Sequence, residues 1–328
     1  PGPTALYSGL SNDNVASLKN REAASNPYQL AMQSLQRMRI LLDAGVPQVL
    51  LPPQFRPDSQ ALESAGFGGE LHEKVRGADA FSPSFLAATL SISSIWTANA
   101  ATVTPGDDSA DDKVHMTIAN LSTHYHRYIE ASATFERFAK VFSDPLHFKV
   151  HQALDSHYKF ADEGAANHMH FGIPGQADGL NVFVYGNDPS ADENHFSRQT
   201  LWASKTLSRL HRLAEENVIF VRQSKEVINA GIFHNDIIAA NHHDLLIFHE
   251  SAYENTDELV AKLEARGVCC IPVLANELSI NEALETYFFN SEFITSAQGE
   301  LILILSEVCR NHSACLLYTS PSPRDGIG

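Results

Sequence analysis

The sequence has few positively charged residues and lacks the common nucleotide-binding motifs. Its 328 residues include 23 Lys and Arg against 39 Asp and Glu, which gives a net charge of −16. This balance disfavours nucleic acid as a partner, because no basic surface is available to displace counterions from phosphates. No G-x-G-x-x-G loop follows a first strand and no P-loop occurs, so we expect no nucleotide cofactor.

Long apolar runs are also lacking, and cysteines are few. No run reaches the roughly 20 residues that a membrane-spanning helix needs, so we expect no membrane partner. The spacing of the four cysteines, Cys269, Cys270, Cys309 and Cys315, matches neither a disulfide framework nor a zinc site. This cysteine usage indicates a reducing cytoplasm as the compartment.

The sequence does contain apolar strand-like runs that alternate with helical stretches. Runs of β-branched, aromatic and other apolar residues predict buried strands at 148–150, 182–185, 218–221, 245–248, 269–273 and 301–305. Helices are predicted over 31–42 and 203–214 from their apolar spacing, and Ser279 with Glu282 forms a capping box ahead of 283–288. The alternation predicts an α/β fold, either a doubly wound sheet or a propeller of α/β units.

The segment 162–168 places a carboxylate among small residues. Glu163 is followed by Gly164, Ala165 and Ala166, which leave room for a ligand or another backbone. A carboxylate in such a gap can accept two hydrogen bonds from a guanidinium group. The alternative interpretation is an exposed acidic first turn of a helix.

The segment 233–239 is predicted to be a strand or the end of one. Side chains alternate between the faces of a strand, so His234 and Asp236 would share one face. This arrangement would put an imidazole beside a carboxylate. The alternative is a buried His–Asp pair with a purely structural role.

An amide and two arginines are further candidates for ligand binding. Asn99 lies among small residues in 96–102 and could bond a substrate edge or serve as a turn residue. Arg127 and Arg198 supply positive charge suited to planar, bidentate binding of carboxylates, although ordinary surface arginines are the commoner case.

Histidines at 124 and 126, 168 and 170, and 242 and 243 raise the question of a metal site. Two histidines in an alternating pair can share a strand face. However, no H-E-x-x-H motif is present, and the sequence does not single out a third ligand. We therefore expect no metal.

These segments together resemble the N-succinylarginine dihydrolase family, within the guanidine-modifying superfamily. The similarity extends from about Tyr7 to about His312 and rests on 7–11, 25–27, 96–102, 114–121, 126–127, 162–168, 198–200 and 233–239. The resemblance implies a five-bladed α/β propeller of ββαβ units around a central site. It also implies hydrolysis of the small molecule N-succinyl-L-arginine to N-succinyl-L-ornithine, two ammonia and carbon dioxide, without cofactor or metal. A homodimer is suggested on the same basis.

The resemblance also assigns roles to individual residues. It makes Glu163 and His234 two members of a Cys-His-Glu catalytic set. The positions that it implies for substrate binding are Ser8, Gly9, Leu10, Ser11, Asn12, Asp13, Asn14, Val15, Ala16, Ser17, Asn99, His126, Arg127, Arg198 and Asp236. One local departure is Asp13, which stands where the family usually has glycine.

A second departure concerns the nucleophile. The family's catalytic cysteine follows a glycine-rich segment, and none of the four cysteines has that setting. We therefore expect a single propeller domain over residues 1–315 with an incomplete last blade, a non-native or disordered tail over 316–328, and no catalysis by this polypeptide. Two alternatives stay open: another guanidine-modifying enzyme (a deiminase or amidinotransferase), and a non-catalytic protein that binds an arginine derivative.

Overall fold

The chain divides into two compact units, Pro1–Ala165 and Ala166–Gly328. The structure is a computed structural model that describes residues 9–11, 17–18, 21–93, 95–190 and 197–319. The single domain over 1–315 and the tail over 316–328 stay predictions. Part of that tail belongs to the helix Ser313–Thr319, and residues 320–328 lie outside the described residues.

The first unit contains helices and one three-stranded sheet. Its helices are α1 (Pro27–Asp43), α2 (Ser59–Ser64), α3 (Leu71–Phe81), α4 (Pro83–Leu90), α5 (Tyr125–Tyr128) and α6 (Ala131–Val141). Its strands are β1 (Ala101–Thr104), β2 (Val114–Ile118) and β3 (Phe148–His151). Asn26 caps α1 by accepting a hydrogen bond of 3.0 Å from the backbone N–H of Gln29, and Pro27 occupies the first turn. N–H groups in the first turn of a helix have no acceptor within the helix, so proline, which has no N–H, is favoured there.

The second unit contains three sheets. Its strands are β4 (His168–Phe171), β5 (Leu180–Tyr185), β6 (Val218–Arg222), β7 (Ala239–His242), β8 (Leu245–His249), β9 (Cys269–Val273), β10 (Glu292–Thr295) and β11 (Leu301–Ile304). Its helices are α7 (Leu201–Leu210), α8 (Lys225–Asn229), α9 (Thr256–Ala265), α10 (Ile280–Thr286) and α11 (Ser313–Thr319).

One supersecondary pattern occurs three times within the residues that the structure describes. In β1–β2–β3, β4–β5–β6 and β7–β8–β9, the first strand pairs antiparallel with the second, and the second pairs parallel with the third. A helix joins the two parallel strands each time, namely α6, α7 and α9. Parallel neighbours require such a crossover, whereas the antiparallel pair needs only a loop. This is the ββαβ unit that the resemblance implies, and β10 and β11 form a further antiparallel hairpin.

The apolar core follows these units. In the first unit, Met116 and Ile118 of β2 pack with Phe138 of α6, and a separate small cluster joins α2, α3 and α4. In the second unit, one large cluster includes Phe171 of β4, Val182 of β5, Phe248 of β8 and many further apolar side chains. Five of the six strands in the parallel pairs were predicted from their apolar runs, whereas β2 was not.

The α/β class is confirmed, and all six predicted strands are present, each within two residues of the expected bounds. The predicted burial is wrong for three of them: β3 and β11 contain no buried residue, and β9 contains only Val273, because these strands lie at the edges of their sheets. The predicted helix over 31–42 lies inside α1, and the predicted helix over 203–214 ends earlier, at Leu210. The capping box of Ser279 and Glu282 is present at the start of α10. The five-bladed closure stays a prediction. Within the described ranges, no helix combines the length and apolar character that crossing a bilayer requires.

Candidate functional site

The residues singled out from the sequence lie at repeated positions in the chain. A 3₁₀ turn precedes the first strand of each of the three ββαβ units described above. These turns are Thr97–Asn99 before β1, Gly164–Asn167 before β4 and Asn235–Ile237 before β7. Glu163 precedes His168, the first residue of β4, by five positions, and His234 precedes Ala239 of β7 by the same number. The two predicted catalytic residues therefore occupy equivalent places in successive ββαβ units.

Glu163 is fully buried and forms an ion pair with Arg127. The Nη2 atom of Arg127 donates to Oε2 of Glu163 at 2.5 Å, and Nη1 donates to Oε1 at 3.2 Å. Side-chain exposure is 2% for Arg127 and 0% for Glu163. Such burial is tolerated only when the charges are paired and hydrogen-bonded. The alternatives of an exposed acidic turn at Glu163 and a surface arginine at Arg127 are therefore wrong.

The backbone and side chain of Glu163 are held by further contacts within the first unit. The side-chain amide of Asn99 donates to the carbonyl oxygen of Glu163 at 2.9 Å, and the hydroxyl of Thr123 donates to Oε1 at 3.3 Å. Gly164 follows with φ of +72°, and a Cβ there would lie 3.0 Å from the carbonyl oxygen of Ala98. Only glycine adopts this backbone conformation without strain while allowing so close an approach.

Part of the predicted substrate loop contacts His126. The hydroxyl of Ser11 lies 3.4 Å from Nε2 of His126, and both residues are buried. The backbone N–H of Ser11 donates to the hydroxyl of Ser17 at 3.3 Å. Gly9 and Leu10 are half-buried. The remaining predicted members, Ser8, Asn12, Asp13, Asn14, Val15 and Ala16, lie outside the described residues.

His234 and Asp236 do not lie on a strand, so that prediction is wrong. His234 has extended backbone angles and precedes the 3₁₀ turn Asn235–Ile237, while the strand begins only at Ala239. The turn places Asn235 in the interior, where its burial and hydrogen bonds override the alternation expected of a strand. His234 and Asp236 are both half-buried.

A buried hydrogen-bond network holds this turn. The backbone N–H of Asn235 donates to Oδ1 of Asn167 at 2.7 Å, and the phenol of Tyr253 donates to Oδ1 of Asn235 at 2.7 Å. Burial raises the pKa of Tyr253, so the phenol keeps its proton and remains a donor. Sequence reasoning missed Asn167 and Tyr253 as supporting residues. The only signal was that Asn167 belongs to the 162–168 segment.

Arg198 lies beside the segment that carries His234. Its guanidinium carbon is 4.8 Å from the ring centroid of Phe233, and Arg198 is only 3% exposed. A guanidinium over an aromatic face is stabilised by the quadrupole of the ring. The alternative of an ordinary surface arginine is therefore wrong for Arg198 as well.

Tyr287 is a candidate member of the functional site that sequence reasoning missed. It precedes Glu292, the first residue of β10, by five positions, the same offset as Glu163 and His234 have from their strands. Burial and the negative charge of Asp236 raise the pKa of Tyr287. The repeat offset is the signal that could have found it.

The histidine pairs do not gather a metal-binding set among the described residues. In that part of the chain no group of three or more His, Cys, Asp and Glu side chains has a geometry suited to a metal ion. Individual rings have other partners: His168 lies 2.9 Å from Oδ1 of Asn181, and His242 lies 2.8 Å from the hydroxyl of Thr295.

Cys270 and Cys309 lie in environments opposite to that of an activated thiol. Burial, followed by the contact with Cys315, raises the pKa of Cys309 to about 12. Burial and the charge of Glu264 raise the pKa of Cys270 to about 11. Cys315 is buried and Cys269 is exposed, which corrects any view of Cys269 as a core residue. A nucleophilic cysteine requires a lowered pKa, so Cys270 and Cys309 are unsuited to that role.

The chain has extensive similarity to known proteins. A family model described as succinylarginine dihydrolase matches residues 1–322. The N-succinylarginine dihydrolase of Photorhabdus laumondii is 40% identical over 327 residues, which cover 97% of this chain and 73% of that protein. That of Ectopseudomonas mendocina is 42% identical over 330 residues, with the same two coverages of 97% and 73%.

Among solved structures, the N-terminal domain of ArgZ, an arginine dihydrolase from cyanobacteria, aligns with a TM-score of 0.46 at 14% identity. That alignment covers 80% of this chain and 69% of the other. The match of the family model over nearly the whole chain and the identity to the two curated proteins are decisive. The chain belongs to the succinylarginine dihydrolase family.

Proposed function

We propose that this chain carries the substrate-binding residues and two of the catalytic groups for hydrolysis of N-succinyl-L-arginine. The reaction consumes two waters and gives N-succinyl-L-ornithine, two ammonia and carbon dioxide. Family membership supports the reaction, since the two curated relatives described above are named N-succinylarginine dihydrolase. No cofactor is needed for this hydrolysis.

The observation that carries the site assignment is the pairing of Glu163 with a guanidinium. The side chain of Arg127 donates to both oxygens of Glu163, in the fork-to-fork geometry that also suits the guanidinium of a substrate. In the proposed complex, Glu163 accepts from the substrate guanidinium, and Asp236 adds a second carboxylate to hold the cation. Arg127 and Arg198 bind the substrate carboxylates.

The chemical difficulty lies in the guanidinium carbon, which is a poor electrophile because resonance spreads its positive charge. Attack by a thiolate gives a tetrahedral adduct and divides one hard step into easier ones. His234 then protonates the departing ammonia and activates the water that attacks next. Attack of this water displaces the thiolate and leaves a ureido group. A second round at the ureido carbon releases the second ammonia and gives a carbamate, which breaks down to N-succinyl-L-ornithine and carbon dioxide.

The covalent step is not assigned to any of the four cysteines, because none of them follows the glycine-rich segment that precedes the family's catalytic cysteine. Cys270 and Cys309 also have raised pKa values. The proposal further includes the five-bladed propeller, a homodimer and a cytoplasmic location.

Calorimetric titration with N-succinyl-L-arginine tests this proposal. We expect saturable binding with one site per chain and weaker binding in Glu163→Gln, which loses the carboxylate that accepts from the substrate guanidinium. The substitution Glu130→Gln alters another buried carboxylate of the same unit and serves as the matched control. Absence of binding to the unmodified chain would contradict the site assignment. Ammonia release at one equivalent per substrate would instead indicate a deiminase.

A further inference from the structure

Glu163 cannot be reached by a ligand while the side chains around it keep their present positions. Its side chain is 0% exposed, and both of its oxygens accept hydrogen bonds from Arg127. Asn99 donates a hydrogen bond to the backbone carbonyl oxygen of Glu163, and Thr123 donates one to its Oε1 atom. Arg127 lies on the one-turn helix Tyr125–Tyr128, and access of a ligand to Glu163 requires the side chain of Arg127 to move.

The two members of this pair are the same chemical groups as those of the proposed substrate. A guanidinium of a ligand can replace Arg127 at Glu163 without loss of hydrogen bonds, since both present the same planar fork. A carboxylate of a ligand can likewise replace Glu163 at Arg127. A ligand that carries both groups therefore exchanges one internal ion pair for two intermolecular ones.

The binding free energy differs for a ligand that carries only one of the two groups. A lone guanidinium that binds Glu163 leaves Arg127 without its carboxylate, and a lone carboxylate that binds Arg127 leaves Glu163 without its cation. Because both side chains are buried, a charge left in this way is strongly unfavourable. The internal ion pair thus makes binding of either half of the substrate alone unfavourable, whereas binding of the whole substrate replaces the pair.

We propose, in an inference that rests on the proposed function, that the Arg127–Glu163 ion pair is the specificity determinant of this site. The pair exchanges partners with a ligand that bears a guanidinium and a carboxylate together, and it excludes ligands that bear only one of them. Discrimination between N-succinyl-L-arginine and simpler guanidines therefore arises from the cost of breaking the pair, in addition to contacts with the succinyl group.

The unmodified chain provides the first test, with two fragments of the substrate as probes. Methylguanidinium supplies the cation, and N-succinyl-L-alanine supplies the carboxylates. In NMR titrations, each fragment alone is expected to bind weakly, and each is expected to tighten the binding of the other by about tenfold, because each binds the residue whose ion pair the other has broken. Independent binding of the two fragments would overturn the exchange.

Two substitutions provide the second test. In Arg127→Gln the internal competitor for Glu163 is removed, so methylguanidinium should bind about tenfold more tightly than to the unmodified chain. In Glu163→Gln the same gain should appear for N-succinyl-L-alanine. If the pair were only structural, both substitutions would lower stability without raising the affinity of either fragment, and the inference would be wrong.

The buried pair Arg56–Glu130 supplies the matched control. Its Nη2–Oε1 distance is 2.6 Å and both side chains are 2% exposed, but neither residue belongs to the proposed site. Arg56→Gln should leave both fragment affinities unchanged. If N-succinyl-L-arginine itself fails to bind, the proposed function falls together with this inference. If it binds while the fragments remain uncoupled, only the exchange is overturned.

Discussion

The phenol of Tyr253 donates a hydrogen bond to Oδ1 of Asn235, with an oxygen–oxygen distance of 2.7 Å in the interior of the second unit. Asn235 in turn donates its backbone N–H to Asn167. The turn between His234 and Asp236 is therefore fixed by residues that belong to neither predicted catalytic nor predicted substrate-binding positions. The orientation of His234 depends on this buried support.

Substitution of Tyr253 by Phe removes the donor while keeping the ring. We expect the free energy of unfolding to fall by about 1–2 kcal/mol, the usual effect of losing a buried hydrogen bond. Denaturant unfolding followed by circular dichroism measures this change. Tyr158→Phe is the control, because Tyr158 is 67% exposed, and its unfolding should be unaltered. Equal stability of Tyr253→Phe and the unmodified chain would contradict the network.

Substitution of Gly164 by Ala tests the close approach beside Glu163. The left-handed backbone alone should lower the free energy of unfolding by about 1–2 kcal/mol, because alanine adopts it less readily than glycine. The contact of the new Cβ with the carbonyl of Ala98 should lower it further and should also weaken binding of N-succinyl-L-arginine. Thermal unfolding and calorimetry report the two effects.

Gly66→Ala is the matched control for Gly164→Ala. Gly66 has a φ of +89°, yet a Cβ there would meet no atom within 4 Å. It should therefore show the backbone cost without an effect on ligand affinity. If the two substitutions proved equivalent in both measurements, packing around Gly164 would have no role in the site.

The stability of the chain should depend on pH through His151. Burial, followed by the charges of His115 and Lys149, lowers the pKa of His151 from 6.5 to about 4, while Asp111 opposes this shift. The folded state therefore binds fewer protons than the unfolded state between these values. Stability is fully present above pH 6.5 and is lost as the pH falls towards 4.

His151→Gln should flatten this dependence, because glutamine does not titrate. Melting temperatures measured from pH 4 to 7 should fall by several degrees less for the variant than for the unmodified chain. His72→Gln, which alters an exposed histidine, should leave the profile unchanged. Identical profiles for the unmodified chain and His151→Gln would show that His151 is not responsible.

The four cysteines should differ in reactivity. Cys269 is exposed, whereas Cys309 and Cys315 are buried. Titration of the folded chain with a chromogenic disulfide at pH 8 should give one fast thiol, assigned to Cys269 by its loss in Cys269→Ser. Cys309 and Cys315 should react only after unfolding. Fast reaction of Cys309 in the folded chain would contradict its burial and its raised pKa.

The sequence predicted those elements whose residues are apolar. The second and third strands of the ββαβ units, except Val114–Ile118, were predicted because they contain runs of β-branched, aromatic and other apolar side chains, as in Val218–Arg222 and Leu245–His249. The first strands escaped prediction because they carry little of this signal: Ala101–Thr104 is short and contains two threonines, and His168–Phe171 contains two histidines. Their pairing with a neighbouring strand, rather than their composition, makes them strands.

The sequence predicted the members of the candidate site but not the contacts between them. Glu163 and Arg127 were both recognised as candidates, yet their separation of 36 residues gives no hint that they pair with each other. The 3₁₀ turn after His234 was mistaken for a strand because the burial of Asn235, which Asn167 and Tyr253 enforce, is a tertiary effect. Local spacing does not contain that information.

A crystal structure of the chain with bound N-succinyl-L-arginine tests the account most directly. We expect the substrate guanidinium within hydrogen-bonding distance of both oxygens of Glu163, and the side chain of Arg127 moved onto a substrate carboxylate. A bound substrate whose guanidinium lies elsewhere, with Arg127 still paired to Glu163, would contradict the account.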